Sequence, residues 1–253
     1  MKTLNIFLFI LCVNSLFAQK NQYMYSKEVT RAIDLREKQN EPLMATGNEL
    51  TKFLIEATKE GRLTAYSSDS LRTQDKLTIN TFLDNITLYV NEVEEDCFCD
   101  EFCDCDDSSS TSSTEYYFPR DLYQVEITED VLFDKKQSTM VIQTKSLALF
   151  IPADHPDNMR GIQELVAVYD FDELKTLWNS TPEAVWINPH NDQEYKNLSD
   201  AFELRLFSSY IIKVSNPNDE FIADIHTDPY TALIESQNEA AKIAEFESNL
   251  WEN

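Results

Sequence analysis

Hydrophobic residues recur at helical spacing in the stretch between Thr46 and Gly61. The residues Thr46–Glu49 have the composition of a capping box, and Gly61 stands where a glycine ends many helices. The sequence therefore predicts a helix here, and it predicts a second helical or extended segment over Leu77–Val90. The apolar residues of the first helix are Leu50, Phe53, Leu54 and Ala57.

Three stretches of the second half have the composition of β-strands. Leu122–Phe133 and Thr139–Ile151 are rich in β-branched and aromatic residues and show partial alternation. The polar residues between them, Asp134–Ser138, fit a hairpin connection. Tyr210–Val214 indicates a further strand, and its mostly apolar side chains favour a place in the core.

Helical spacing returns in three further segments. Phe171–Trp178 predicts a short helix, and Ser199–Phe207 begins with a serine–aspartate start signal and has Phe202 and Leu206 four residues apart. A long amphipathic helix is predicted for Tyr230–Trp251. Its apolar stripe consists of Leu233, Ala240, Ile243, Phe246 and Leu250.

The segment Ser26–Leu43 is polar, with Val29 and Ile33 widely spaced, so we expect no core element there. Taken together, the patterns predict an α+β fold with a mixed or antiparallel sheet, flanking helices and a long C-terminal amphipathic helix.

The first residues have the order of a secretory signal peptide. Lys2 supplies a short positive region, Leu4–Val13 an apolar core, and Ala18 a small residue before a cleavage point. We therefore expect residues 1–18 to be removed and the chain to be exported to the periplasm.

A lipoprotein signal that uses Cys12 is a poorer interpretation, because the preceding residue, Leu11, is not small. No later segment approaches the roughly 18 uninterrupted apolar residues typical of a membrane-spanning helix.

Composition changes abruptly over residues 92–115. Nine acids lie between Glu92 and Asp107, and a serine/threonine tract follows them. We interpret the segment as an insert or linker that separates an N-terminal helical part, residues 19–91, from the main α+β region, residues 116–253.

Four of the five cysteines lie inside this acidic segment. An oxidising compartment favours disulfides between them, and a three-residue turn in the middle of the cluster would let them pair across a hairpin. A four-thiolate zinc site and reduced thiols remain alternatives, although the neighbouring carboxylates raise thiol pKa values and disfavour the thiolate. The four residues are Cys97, Cys99, Cys103 and Cys105.

The charge balance excludes one class of partner. The chain has 45 Asp and Glu against 21 Lys and Arg, a formal net charge of −24, and no basic cluster that could neutralise phosphates. Nucleic acid is therefore not an expected partner. With only three glycines, the chain also lacks the glycine-rich phosphate cradles and dinucleotide fingerprints, and we predict no cofactor.

Each of the three histidines is followed two residues later by an aspartate. Such pairs occur in transition-metal sites, but nothing in the sequence places the three together, and we predict neither catalytic nor metal-binding residues. The pairs are His155 with Asp157, His190 with Asp192, and His226 with Asp228.

Most of the chain beyond the signal and outside the acidic segment resembles the GldN/PorN family of the Bacteroidetes gliding-motility and type IX secretion apparatus. The most specific match is the run Phe207–Lys213 followed by Ser215 and Asn216. Residues 153–185 depart from the family pattern, and the acidic cysteine segment has no counterpart in it. The matching stretches are Asp34–Leu43, Gly61–Tyr66, Glu129–Pro152, Trp186–Asp219, Leu233–Ser236 and Ala240–Asn253.

The resemblance implies a non-enzymatic structural subunit. It implies a periplasmic ring at the outer membrane, formed by self-association and with a GldK/PorK-type lipoprotein, near the GldL/GldM motor. Within this expectation the C-terminal helix is a candidate partner contact, although packing on its own domain is the ordinary role of such a helix. The candidate contact residues are Ile243, Phe246, Leu250 and Trp251.

Two other functions stay open on the residues alone. One is a secreted cation-binding module that uses the acidic cysteine segment. The other is a periplasmic hydrolase that uses a histidine–aspartate pair.

Overall fold

The structure, a computed structural model, describes residues 23–88, 115–134, 139–188, 191 and 195–251. These residues contain a five-stranded sheet and a separate two-stranded sheet. The strands are β1 (Tyr23–Asp34), β2 (Gln124–Asp134), β3 (Thr139–Ile151), β4 (Glu164–Asp170), β5 (Val185–Ile187), β6 (Tyr195–Asn197) and β7 (Tyr210–Val214).

The large sheet has the strand order β4–β3–β2–β1–β7, and each neighbouring pair is antiparallel. Helices flank it, so the predicted α+β class is confirmed. The predicted pairing of the second-half strands is confirmed by the register of β2 with β3. The residues of their connection, 135–138, lie outside the described part of the chain.

The α-helices of the described residues include the predicted ones. The segment over Leu77–Val90 becomes a short helix, and the predicted C-terminal helix is confirmed almost to the residue. Three short 3-10 helices lie at Lys38–Met44, Thr73–Asp75 and Pro119–Asp121. The α-helices are α1 (Leu50–Lys59), α2 (Ile79–Asn85), α3 (Phe171–Ser180), α4 (Leu198–Glu203), α5 (Ile222–Ile225) and α6 (Pro229–Trp251).

The two ends of α1 differ from each other in how well the sequence predicted them. Gly61 has a φ of +70°, and the Arg62 N–H donates to the Ala57 carbonyl at 2.9 Å, as a glycine-terminated helix requires. The predicted capping box is wrong. The N-cap residue is Glu49, whose side chain accepts no cap hydrogen bond and instead accepts from the Gly47 N–H at 3.1 Å and the Arg120 Nε–H at 2.9 Å.

The expectation of no core element in Ser26–Leu43 is also wrong. Its first part is β1, which lies inside the sheet between β2 and β7, with Val29 and Ile33 fully buried. In β1 the side chain of Arg31 lies on the inner face together with these two residues. Because Arg31 is charged, the sequence does not show the alternation of apolar and polar residues that predicts a strand. Its carboxylate partner, Glu129, stands 98 positions later in the chain.

The largest core cluster lies between the inner face of the sheet and the helices. Trp178 of α3 is fully buried and stacks on Phe202 of α4, with ring centroids 5.2 Å apart. Helix α4 begins one residue before the predicted start, because Asn197 accepts the Ser199 N–H at 2.8 Å, and it ends before Leu206. A smaller cluster joins β1, β2 and β7 to α5 and α6.

Candidate protein-docking surface

The predicted contact residues on α6 lie in two situations. Ile243 is half-buried against the smaller core cluster, and the ring of Phe246 stacks on Tyr25 of β1 at a centroid distance of 4.4 Å. The side chains of Leu250 and Trp251 lie outside the described part of the chain. In this structure Ile243 and Phe246 therefore contact the chain's own sheet, and a role toward a partner stays a prediction.

The four clustered cysteines, Cys97, Cys99, Cys103 and Cys105, also lie outside the described residues. The residues that flank the acidic segment on either side are described. The Leu88 N–H donates to the Glu115 carbonyl at 2.8 Å, and the Tyr117 N–H donates to the Ile86 carbonyl at 2.9 Å. The acidic segment therefore leaves and re-enters the fold at a single place, while the division of the chain into domains stays a prediction.

The histidine–aspartate pairs that are described have local structural roles. His155 Nδ1 accepts the Asp157 N–H at 3.2 Å, and the His155 ring packs edge-on against Tyr117. Asp228 accepts the Thr231 N–H at 2.9 Å, a cap of the first turn of α6. Across the described ranges no three histidine, cysteine or acidic side chains form a metal-binding group. His190 and Asp192 lie outside those ranges.

A groove of about 790 Å³ is lined by residues of the outer face of the sheet and by residues of α5 and the first turns of α6. Its floor consists of two cross-strand rows, one joining Tyr210, Ala32 and Glu126 and the other joining Asp34 and Gln124. These side chains point away from the inner face, because they alternate with the buried pair Ile33 and Val125. The helices contribute Phe221, Ala223, Pro229, Leu233 and Ser236.

Large apolar side chains stand exposed on the rim of the groove. Tyr210 is 47% exposed, Phe221 40% and Leu233 49%. An isolated exposed apolar residue needs no explanation, but exposed residues grouped around a concave surface are typical of a binding site. Leu233 belongs to the predicted apolar stripe of α6, so the stripe divides between the chain's own core and this groove.

Carboxylates give the groove its charge. Burial raises the pKa of Glu126, and the nearby charge of Asp69 raises it further, while the Gln163 Nε2–H donates to Glu126 at 2.9 Å. Burial also raises the pKa of Tyr210, with contributions from the charges of Asp34, Glu126 and Glu37. The groove is therefore a partly dehydrated, negatively charged surface.

An aromatic and ionic cluster fixes the end of the groove at β1. The Arg36 guanidinium donates to Asp34 Oδ2 at 2.7 Å and to Asp154 Oδ2 at 3.3 Å, and it lies 3.6 Å above the Tyr123 ring. The Tyr123 hydroxyl donates to the Asp154 carboxylate. Burial, together with that hydrogen bond, raises the pKa of Tyr123 to about 12. The charge of Asp34 is thus compensated inside the chain.

A buried ion triad lies on the inner face below the groove. Glu129 is fully buried and accepts from Arg31 Nε at 3.0 Å and from Arg205 Nη2 at 3.1 Å. Burial lowers the pKa of Arg31, although Glu129 partly offsets this. Arg205 follows α4 and has a φ of +54°, so the triad ties the chain between α4 and β7 to the centre of the sheet.

A single buried amide ties the chain before β7 to β1. Asn40 is fully buried, its Nδ2 donates to the carbonyls of Asp34 at 2.7 Å and Ser208 at 3.1 Å, and its Oδ1 accepts the Ser208 N–H at 2.7 Å. Asn40 thereby satisfies three backbone groups of two segments far apart in the chain.

Sequence reasoning missed the groove and the triad. One signal was present in β2, where Glu129 stands at an inner position of the alternating run Val125, Ile127 and Val131. A charged residue at a core position of a strand needs a partner, although the sequence does not say which one. For Gln124 and Glu126 there was no signal, because polar residues on an outer face are ordinary.

Among the described helices, none combines the length and the apolar character needed to cross a bilayer. The described residues define an α+β protein with a groove whose rim has exposed apolar side chains.

The chain belongs to the family of the gliding motility associated protein GldN, whose family model matches residues 18–252. This confirms the resemblance found in the sequence. The family is a structural component of the gliding-motility and type IX secretion apparatus and is not a known enzyme family. A search of curated proteins finds no match.

Proposed function

We propose that the chain is a non-enzymatic structural subunit that forms a periplasmic ring at the outer membrane together with a GldK/PorK-type lipoprotein. The observation that carries the proposal is the family match over residues 18–252, which covers the fold from before β1 to the end of α6. The exposed apolar rim of the groove supports it, because a ring subunit needs surfaces on which other chains dock.

The proposal includes export and the neighbouring components. The signal-peptide pattern of residues 1–18 supports a periplasmic location, with cleavage before Gln19. Self-association into the ring and contact with GldL/GldM-type motor components belong to the same proposal.

Affinity purification tests the partners directly. A C-terminally tagged chain, purified from envelopes under mild detergent, is expected to recover a ring-forming lipoprotein, and the mature N-terminus is expected at Gln19. Deletion of the gene is expected to abolish type IX cargo export and surface spreading. Intact export and spreading after deletion, with no second gene copy present, would contradict the proposal.

The acidic cysteine segment is predicted to be dispensable for this function. Because it enters and leaves the fold at one place, a change inside it should not disturb the sheet. Replacing Cys97, Cys99, Cys103 and Cys105 together by serine should leave export intact. Loss of export at a normal protein level would show that this segment takes part in the function.

A further inference from the structure

We propose that the groove between the outer sheet face and α5–α6 binds a segment of another protein in which a lysine or arginine lies between apolar side chains. The inference names the chemistry of one partner contact, and its biological setting rests on the proposed function. Its test uses purified protein and is separate from the deletion phenotype.

The shape of the groove follows from one small residue. Ala32 lies between Tyr210 and Glu126 in a cross-strand row, so a short side chain stands between two long ones. Among the helix residues that line the groove, Phe221 and Leu233 are 40% and 49% exposed. The depression therefore has apolar walls that burial by a partner's apolar side chains would stabilise.

The charge of the groove selects for a cation. Among the described residues that line it there is no lysine, arginine or histidine. The charge of Asp34 is compensated by its ion pair with Arg36. Glu126 accepts a hydrogen bond from the neutral Gln163 amide, and the nearby charge of Asp69 raises its pKa further. A cationic side chain placed beside Glu126 would relieve an uncompensated, partly buried charge.

An unsatisfied acceptor points to the same chemistry. The Oε1 atom of Gln124 is buried and accepts no hydrogen bond, and Gln124 neighbours Glu126 along β2 on the floor of the groove. Buried acceptors without a donor are rare in folded proteins, and a hydrogen-bond donor from an occupant of the groove would satisfy this one. An occupant with hydrogen-bond donors would satisfy Gln124, and its positive charge would pair with Glu126.

Two segments of the chain that lie outside the described ranges do not fit as occupants. The segment between Glu92 and Asp107 carries nine acids and would be repelled. The connection between β2 and β3 contains a basic pair, Lys135 and Lys136. This pair follows the last residue of β2, whereas Gln124 is the first residue of the strand. A strand of that length extends roughly 33 Å, so a separate protein is the occupant we assign.

A pair of peptides tests the chemistry of the occupant. A fluorescein-labelled nonapeptide of alternating lysine and leucine is titrated with the purified full chain and followed by fluorescence anisotropy at 0.15 M salt. The matched probe replaces each lysine by glutamate. We expect saturable binding of the lysine peptide and none of the glutamate peptide.

Three variants localise the binding. Glu126→Gln is expected to weaken binding of the lysine peptide roughly tenfold, the loss of one charge-assisted hydrogen bond. Ala32→Phe, which fills the depression, and Leu233→Lys, which repels the cation from the other wall, are expected to abolish it. Glu245→Gln, the same loss of charge at an exposed α6 position outside the groove, is expected to change nothing.

Several results would overturn the assignment. Equal binding to Glu126→Gln, Leu233→Lys and the natural chain would mean that the peptide senses only the overall charge of −24. Equal binding of the glutamate peptide would remove the charge argument. If sedimentation shows a dimer of the natural chain that Leu233→Lys dissociates, the groove instead holds a second copy. Circular dichroism melting curves confirm that each variant is folded.

Discussion

Replacing Glu129 by glutamine removes the carboxylate that Arg31 and Arg205 share. Its Oε2 atom accepts from Arg31 Nε at 3.0 Å and from Arg205 Nη2 at 3.1 Å, and its Oε1 atom accepts from Arg205 Nη1 at 2.5 Å. The side chain of Glu129 is completely buried, that of Arg31 is 14% exposed and that of Arg205 is 30% exposed. The change leaves two guanidinium groups without a counter-charge, one of them deep inside the sheet.

The expected loss of stability is about 3 kcal/mol. Removing one partner of a buried ion pair costs about 3–5 kcal/mol, because the remaining charge is neither hydrated nor paired. Glutamine keeps one acceptor oxygen, and Arg205 can reach water through its exposed edge, so the lower end of the range applies. In a domain of this size such a loss lowers Tm by roughly 6–12 °C.

Urea unfolding followed by far-UV circular dichroism measures the effect as a change in midpoint at constant slope. The control variant is Glu28→Gln, which breaks the pair with Lys145 at 2.7 Å on the other face of the sheet, where both side chains are about half exposed. Exposed pairs contribute about 0–1 kcal/mol, so this variant should unfold close to the natural chain.

A triple variant separates the two parts of the reasoning. Replacing Arg31 by methionine, Glu129 by leucine and Arg205 by methionine removes all three charges, and we expect stability near that of the natural chain or above it. If Glu129→Gln is no less stable than Glu28→Gln, the triad does not stabilise the fold. If the triple variant is as unstable as Glu129→Gln, unpaired charge is not the cause of the loss.

Three further predictions follow from single contacts. Asn40→Ala should cost about 2–4 kcal/mol in urea unfolding, because it leaves three backbone groups of two segments unsatisfied, whereas Asn238→Ala on the exposed face of α6 should cost less than about 0.5 kcal/mol. Gly61→Ala should cost about 1 kcal/mol because of its φ of +70°, and no clash adds to this cost. Since the folded-state pKa of Glu126 is raised, the charged form of this side chain is disfavoured by folding. Glu126→Gln should therefore stabilise the chain at pH 7, and the gain should shrink as the pH falls through the raised pKa and vanish below the ordinary value of about 4.5; a gain that persists at pH 3 would contradict this.

Elements that depend on neighbouring residues were predictable from the sequence. Helix α6 and the β2–β3 pair have strong periodicity within one continuous stretch, and a hairpin joins strands that are adjacent in the chain. The C-terminal end of α1 was predictable for the same reason, since Gly61 acts on the turn directly before it.

Elements that depend on distant residues were not predictable. Arg31 is tolerated on the inner face of β1 only because Glu129 and Arg205 arrive from two other parts of the chain. Glu49 is the N-cap residue of α1, but its carboxylate accepts a hydrogen bond from Arg120, 71 residues later, and none from the first turn of the helix. A local pattern contains neither partner, so it predicted a polar segment and a capping box.

The amino-acid sequence by itself determined the α+β class, the long C-terminal helix and the resemblance to the GldN family, because periodicity and motif order are properties of the linear chain. Only the tertiary structure decided that β1 lies inside the sheet and that Ala32, Glu126 and Tyr210 stand in one row below α5–α6. Neighbours in this row are separated by more than 80 positions in the chain, and strand pairing, set by the burial of the opposite face, brings their side chains together.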